Sequence, residues 1–161
     1  VSVFVTIAGL WFSKVMPAQG VHTEQLGSSI IFEILTYITI GHIPDGYDVY
    51  LNPIAYAGWI GFFVTSINLL PIGQLDGGHI LYAVTGRWHR LISLGLVAFL
   101  MLFGIFVYEG WLVWAVLITI VGIKHPPVID ASIPLTSVRK LIGWITLLVF
   151  ILTFIPAPFK M

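Results

Sequence analysis

Asn68, Pro71, Asp76, Gly77, Gly78 and His79 fall within one short stretch, NLLPIGQLDGGH, directly after the apolar run IAYAGWIGFFVTSI. A carboxylate and an imidazole three residues apart share a face if the segment is helical, and both residue types ligate metals. An ionisable group near membrane depth is costly and reads as functional by default, stable when paired with a cation or bound to a metal. Asp76 is the sole acidic residue between Asp48 and Glu109. It also has a plainer use, as N-cap of a short helix over about Gly78 to Gly86. His79 is read as a second metal ligand or as a polar group lining a pocket. Asn68 either satisfies backbone around Pro71 or positions a substrate. Pro71 lacks an N–H and frees the carbonyl of Ile67, four residues back. Gly73, Gly77 and Gly78 permit a sharp turn and close approach of another chain.

The elements that position these residues follow from composition. Of 161 residues, 58% are hydrophobic and only 9% charged. A soluble fold of this size could not hide that much apolar surface, so the solvent is lipid. Seven basic and seven acidic residues balance, leaving no basic excess for nucleic acid. There is no cysteine, which excludes disulfides and thiolate ligands. The expected fold is all-α: a polytopic membrane helix bundle with a broken helix at the quoted stretch. Expected spans are about 1–16, 53–72, 91–108, 111–123 and 140–155. The first is apolar from Val1 and rises only about 24 Å, which reads as a start inside a membrane helix. Ile30 to Gly41 is expected to be a helix at the interface or packed on the bundle. Pro44-Asp45-Gly46 reads as a turn before an extended piece at Tyr47 to Leu51. Glu109-Gly110 reads as a tight turn between the third and fourth spans.

Charge gives an orientation. The loop from Pro17 to Asn52 holds Glu24, Glu33, Asp45 and Asp48 and no Lys or Arg, whereas Arg87, Arg90, Lys124, Arg139 and Lys140 share the opposite side. The positive-inside rule makes that side cytoplasmic and places Asp76 near it. The tryptophans, among them Trp59 and Trp111, are expected in an aromatic belt near span ends. His22, His42 and His89 read as interfacial polar residues. Ala57 and Gly61, four apart, could let helices approach closely.

Asn-x-x-Pro followed by Leu-Asp-Gly-Gly, here Asn68, Pro71, Leu75, Asp76, Gly77 and Gly78, resembles the second motif of the site-2 protease family of intramembrane zinc metalloproteases. The surrounding AGWIGFFVTSINLLPIGQLDGGHILYAVTGR looks like the bacterial and plastid branch, as does His125-Pro126-Pro127 followed by Asp130. The resemblance covers roughly Pro44 to Pro158. It implies hydrolysis of peptide bonds in transmembrane protein substrates, with zinc as cofactor. The family's H-E-x-x-H helix supplies two ligands and a catalytic Glu. The motif Asp, here Asp76, supplies the third ligand, and the motif Asn, here Asn68, holds substrate or the developing oxyanion. Pro71, Gly77, Gly78 and His79 would border the pocket.

No H-E-x-x-H occurs in these residues, and one carboxylate cannot hold a catalytic zinc. Either the first motif lies upstream of Val1, or the protein is an inactive pseudoprotease that binds a partner or client helix. His125-Pro126-Pro127 reads equally as a stiff loop after a helix. A transporter, the remaining class, should show paired interrupted helices, and one clear interruption is found.

Overall fold

Serine, proline and glycine punctuate an otherwise apolar chain, and they set most of its element boundaries. The computed structural model describes residues 1–18, 25–122 and 135–160. His22, His125, Pro126, Pro127 and Asp130 lie outside the described residues. The chain divides into two compact units, residues 1–65 with 152–161, and residues 66–151.

In the first unit, α1 runs Ser2–Trp11, five residues short of the helix expected to reach Met16. Ser13 ends it: its hydroxyl donates to the Gly9 carbonyl at 2.9 Å and accepts from the Asn52 amide at 3.0 Å. The chain then extends as β1, Lys14–Pro17. It pairs antiparallel with β3, Tyr47–Tyr50, with Val15 opposite Val49 and Met16 opposite Asp48. The Pro44–Gly46 turn closes with a Tyr47 N–H to Pro44 carbonyl bond of 3.1 Å. β2, Gln25–Leu26, pairs with β4, Phe159–Lys160. The all-α expectation thus becomes a mostly helical chain with two small ribbons, since β-branched and aromatic residues in the short links favour extended pairing.

Helix α2, Ile30–Ile40, is capped by Ser29, whose oxygen accepts the Phe32 amide, and stops at Gly41. Helix α3 begins at Pro53 and ends at Asn68. Phe32 and Leu35 of α2, Leu10 of α1, and Ala55, Trp59 and Phe62 of α3 form the core. Where α1 meets α3, Gly9 lies on the backbone of Ala55, Thr6 on Gly58, and Ser2 on Gly61. The small stripe is therefore Ala55, Gly58 and Gly61; Ala57 is exposed. Trp59 is not a belt residue. It is 1% exposed, donates Nε1–H to the Gly27 carbonyl at 2.7 Å, and stacks between Tyr56 and Phe63.

The second unit begins with the end of α3 and contains α4, Asp76–Thr85, a 3-10 turn, Gly86–Trp88, and α5, His89–Phe106. Helix α6, Gly110–Val121, returns after a turn at Val107–Glu109. Helix α7 covers Ser137–Thr153. Trp111 of α6 is also 1% exposed and belongs to the interior, with Ala115 and Ile118. Leu91, Leu102, Ile105, Phe106, Ile120 and Leu141 face outward, an apolar exterior suited to lipid. Among the described residues one helical stretch, Asp76–Phe106, is long and apolar enough to cross a membrane, with 31 residues.

Candidate functional site

The expected site residues lie at the end of one helix, in the link 69–75, and in the first turn of the next. Pro71 cannot extend α3, and the Ile67 carbonyl it frees is taken by the Leu70 amide at 3.2 Å, in a tightened last turn. Ile72 N–H then bonds to the Leu70 carbonyl at 2.8 Å and Leu75 N–H to the Ile72 carbonyl at 3.3 Å. Gly73, at φ +58°, turns the chain through the left-handed region. Pro71, Ile72 and Gly73 are buried.

Helix α4 then starts at Asp76, with Leu75 as its N-cap and no side-chain capping bond. Asp76 therefore does not act as the N-cap that the plain reading assigned it. It stands in the first turn, where a carboxylate meets the positive end of the helix dipole. Its side chain is exposed, and among the described residues it makes no ion pair. His79, three residues on, is exposed as well, as is Asn68 at the end of α3. Two side chains able to contact a ligand thus flank the link, and His79 follows one turn into α4.

The paired glycines have a clear structural cause. A Cβ on Gly77 would strike the carbonyl oxygens of Leu69 and Leu70, and one on Gly78 would strike those of Gly73 and Ile72. The first turn of α4 packs directly on the backbone of the link, so Gly77 and Gly78 are buried against it. Only residues without a side chain allow the two motif halves to come this close.

Two residues beneath the link were missed in sequence. Gly73 N–H donates to Ser93 Oγ at 3.4 Å, and Ser93 Oγ lies 3.3 Å from His89 Nε2. Ser93 is 0% and His89 2% exposed, so His89 is an interior group rather than an interfacial one. The expected span began at 91 and left His89 outside it; α5 starts at His89, and the spacing of four then puts both residues on one face.

The donor set is incomplete for a metal. A catalytic zinc takes three protein ligands, and among the described residues no group of three His, Cys, Asp or Glu could hold an ion. The described residues alone do not fit a zinc site; Asp76 fits the part of a single oxygen donor.

Residues 34–109 match the model of Peptidase family M50, the site-2 protease family. Zinc is the metal of that family. The chain is 34% identical over 117 residues to "Probable zinc metalloprotease EGY3, chloroplastic" of Oryza sativa subsp. indica, covering 70% of this chain and 20% of that protein. It is 29% identical over 132 residues to "Probable zinc metalloprotease EGY1, chloroplastic" of Arabidopsis thaliana, covering 80% and 24%. A 43-residue segment is 51% identical to "Probable zinc metallopeptidase EGY3, chloroplastic" of Arabidopsis thaliana, 27% of this chain and 8% of that one. The chain thus spans about a fifth to a quarter of the length of the first two of these relatives. No solved structure matches it.

Proposed function

We propose that this chain is the C-terminal portion of an intramembrane zinc metalloendopeptidase, and that Asp76 supplies the third zinc ligand. The observation that carries the reading is the link 69–75 itself. It folds Asn68 and the Asp76 helix start around one turn, with both side chains left exposed, and it lies inside the Peptidase family M50 match. The other two ligands and the catalytic Glu come from an H-E-x-x-H helix in sequence outside these 161 residues. The relatives' much greater length supports this source. When bound, zinc would supply Lewis-acid polarisation of the scissile carbonyl and a more acidic water.

This chain's own residues hold and orient. Asp76 would present one carboxylate oxygen from a rigid helix start. Asn68, at the opposite end of the link, would donate its amide N–H to the substrate carbonyl as charge develops there. Pro71, Gly77 and Gly78 would keep the two at fixed spacing, and His79 would border the wet side of the pocket. The substrates are transmembrane proteins presented from the lipid. The spans form a multi-pass bundle interrupted at this link, because irregular backbone at membrane depth is tolerated inside protein or beside a wet cavity. The positive charges of Arg87, Arg90, Arg139 and Lys140 support a metal site near the cytoplasmic face.

The test is cleavage of a transmembrane reporter by the complete polypeptide and by its Asp76→Ala variant, in detergent and in vesicles. Cleavage by the parent and none by the variant supports the enzyme. A complete polypeptide that binds the reporter but never cuts it, with or without added zinc, overturns it in favour of a client-binding pseudoprotease.

A further inference from the structure

His89 and Ser93 form a polar pair inside an apolar helix pack, on one face of α5. Burying such groups costs free energy unless they are hydrogen-bonded, and apolar residues would pack there without that cost. What the pair touches explains its presence. The Gly73 amide lies outside the ladders of both α3 and α4, and it donates to Ser93 Oγ at 3.4 Å. Ser93 Oγ also meets His89 Nε2 at 3.3 Å, donating to the bare nitrogen or accepting from the protonated one according to tautomer. The His89 ring stands edge-on to Tyr82 of α4, with centroids 5.7 Å apart. One end of this chain of contacts is thus the mid-point of the link, and the other is the helix that begins with Asp76.

We infer that His89 and Ser93 are positioning residues for the site. Through the Gly73 amide they lock the link 69–75, and through Tyr82 they tie α4 to it, so the separation of Asn68 and Asp76 is held constant. The inference rests on the reading of Asp76 as a metal ligand. The hold on Gly73 is observable apart from that reading. Buried partners that orient a ligand typically change metal affinity 10- to 100-fold when removed.

The experiment uses the complete polypeptide in detergent, as wild type, Ser93→Ala, Ser93→Thr, His89→Phe and Asp76→Ala. Amide hydrogen exchange is followed in peptides covering 69–75 and in those covering α4 and α5, together with the rate of zinc loss to a chelator. Ser93→Ala should raise exchange in the link about tenfold, leave α5 protection unchanged, and speed zinc loss about tenfold. Ser93→Thr keeps a hydroxyl and should restore both. His89→Phe keeps a ring against Tyr82 but no nitrogen, and should behave like Ser93→Ala. Unchanged exchange in the link of Ser93→Ala overturns the lock. Faster exchange with unchanged zinc loss, while Asp76→Ala loses zinc, overturns the positioning role. Zinc retained by Asp76→Ala overturns the ligand reading instead, and the exchange data then judge the lock independently.

Discussion

Asp76 and Asn68 are exposed at the two ends of a buried link, and that contrast sets what their substitution should do. Removing an exposed side chain away from caps and pairs changes stability by no more than about 0.5 kcal/mol. Asn68→Ala should therefore leave the melting temperature of the complete polypeptide within about 2 °C of wild type. If its amide stabilises the developing oxyanion, kcat should fall about 100-fold or more. A normal kcat with a lowered melting temperature would mean that Asn68 only satisfies the backbone near Pro71. The places of Asn68 and Asp76 on either side of a chain break were legible in sequence, because Pro71 and the glycines mark the break. Capping was not: whether Asp76 or Leu75 starts the helix depends on where the link closes, and that is set by Ile72 and Gly73 rather than by the acid itself.

The start of α4 depends on two glycines with carbonyl oxygens where a Cβ would go. Gly77→Ala or Gly78→Ala should force the link off the helix and cost about 1–3 kcal/mol or more, as overpacking does. Gly95 of α5 has open space around it, so Gly95→Ala should instead stabilise the helix by about 0.5–1 kcal/mol. Thermal melts of the three variants separate the cases, and equal effects at 77 and 95 would contradict the packing account. In the first unit, Trp59→Phe keeps an aromatic ring but leaves the Gly27 carbonyl without its donor. It should lower stability by about 1 kcal/mol, again read by thermal melting. Helix bodies were visible from apolar runs and from glycine and proline punctuation. The early end of α1 was not, because the run from Lys14 to Pro17 is apolar enough to continue a helix. Only its pairing with Tyr47–Tyr50, far along the chain, makes it a strand. Trp59, Trp111 and His89 were misplaced for a related reason. A tryptophan or histidine in a membrane sequence suits the interface as well as the interior, and tertiary packing decides between them.

For the whole molecule, the claim is a membrane-embedded protease core of which this chain is one part. These 161 residues hold no cysteine, so once any cysteine elsewhere in the complete polypeptide is replaced by serine, single introduced cysteines report the topology. Arg87→Cys and Glu109→Cys, each introduced singly into the complete polypeptide in sealed oriented vesicles, should react with an impermeant maleimide from opposite sides. Arg87→Cys should react from the cytoplasmic side; labelling of both from one side would contradict the assigned topology. Membrane character and family could be read from composition and from the Asn-Pro…Asp-Gly-Gly spacing. That these residues hold no complete ligand set was legible too, since no H-E-x-x-H occurs in them, and the described residues contain no three-donor group. The measurement closest to the central claim is zinc per polypeptide, by elemental analysis, in the complete wild type and in Asp76→Ala at matched melting temperature. The account predicts close to one zinc in the wild type and a large loss in the variant. Equal zinc in both would contradict it.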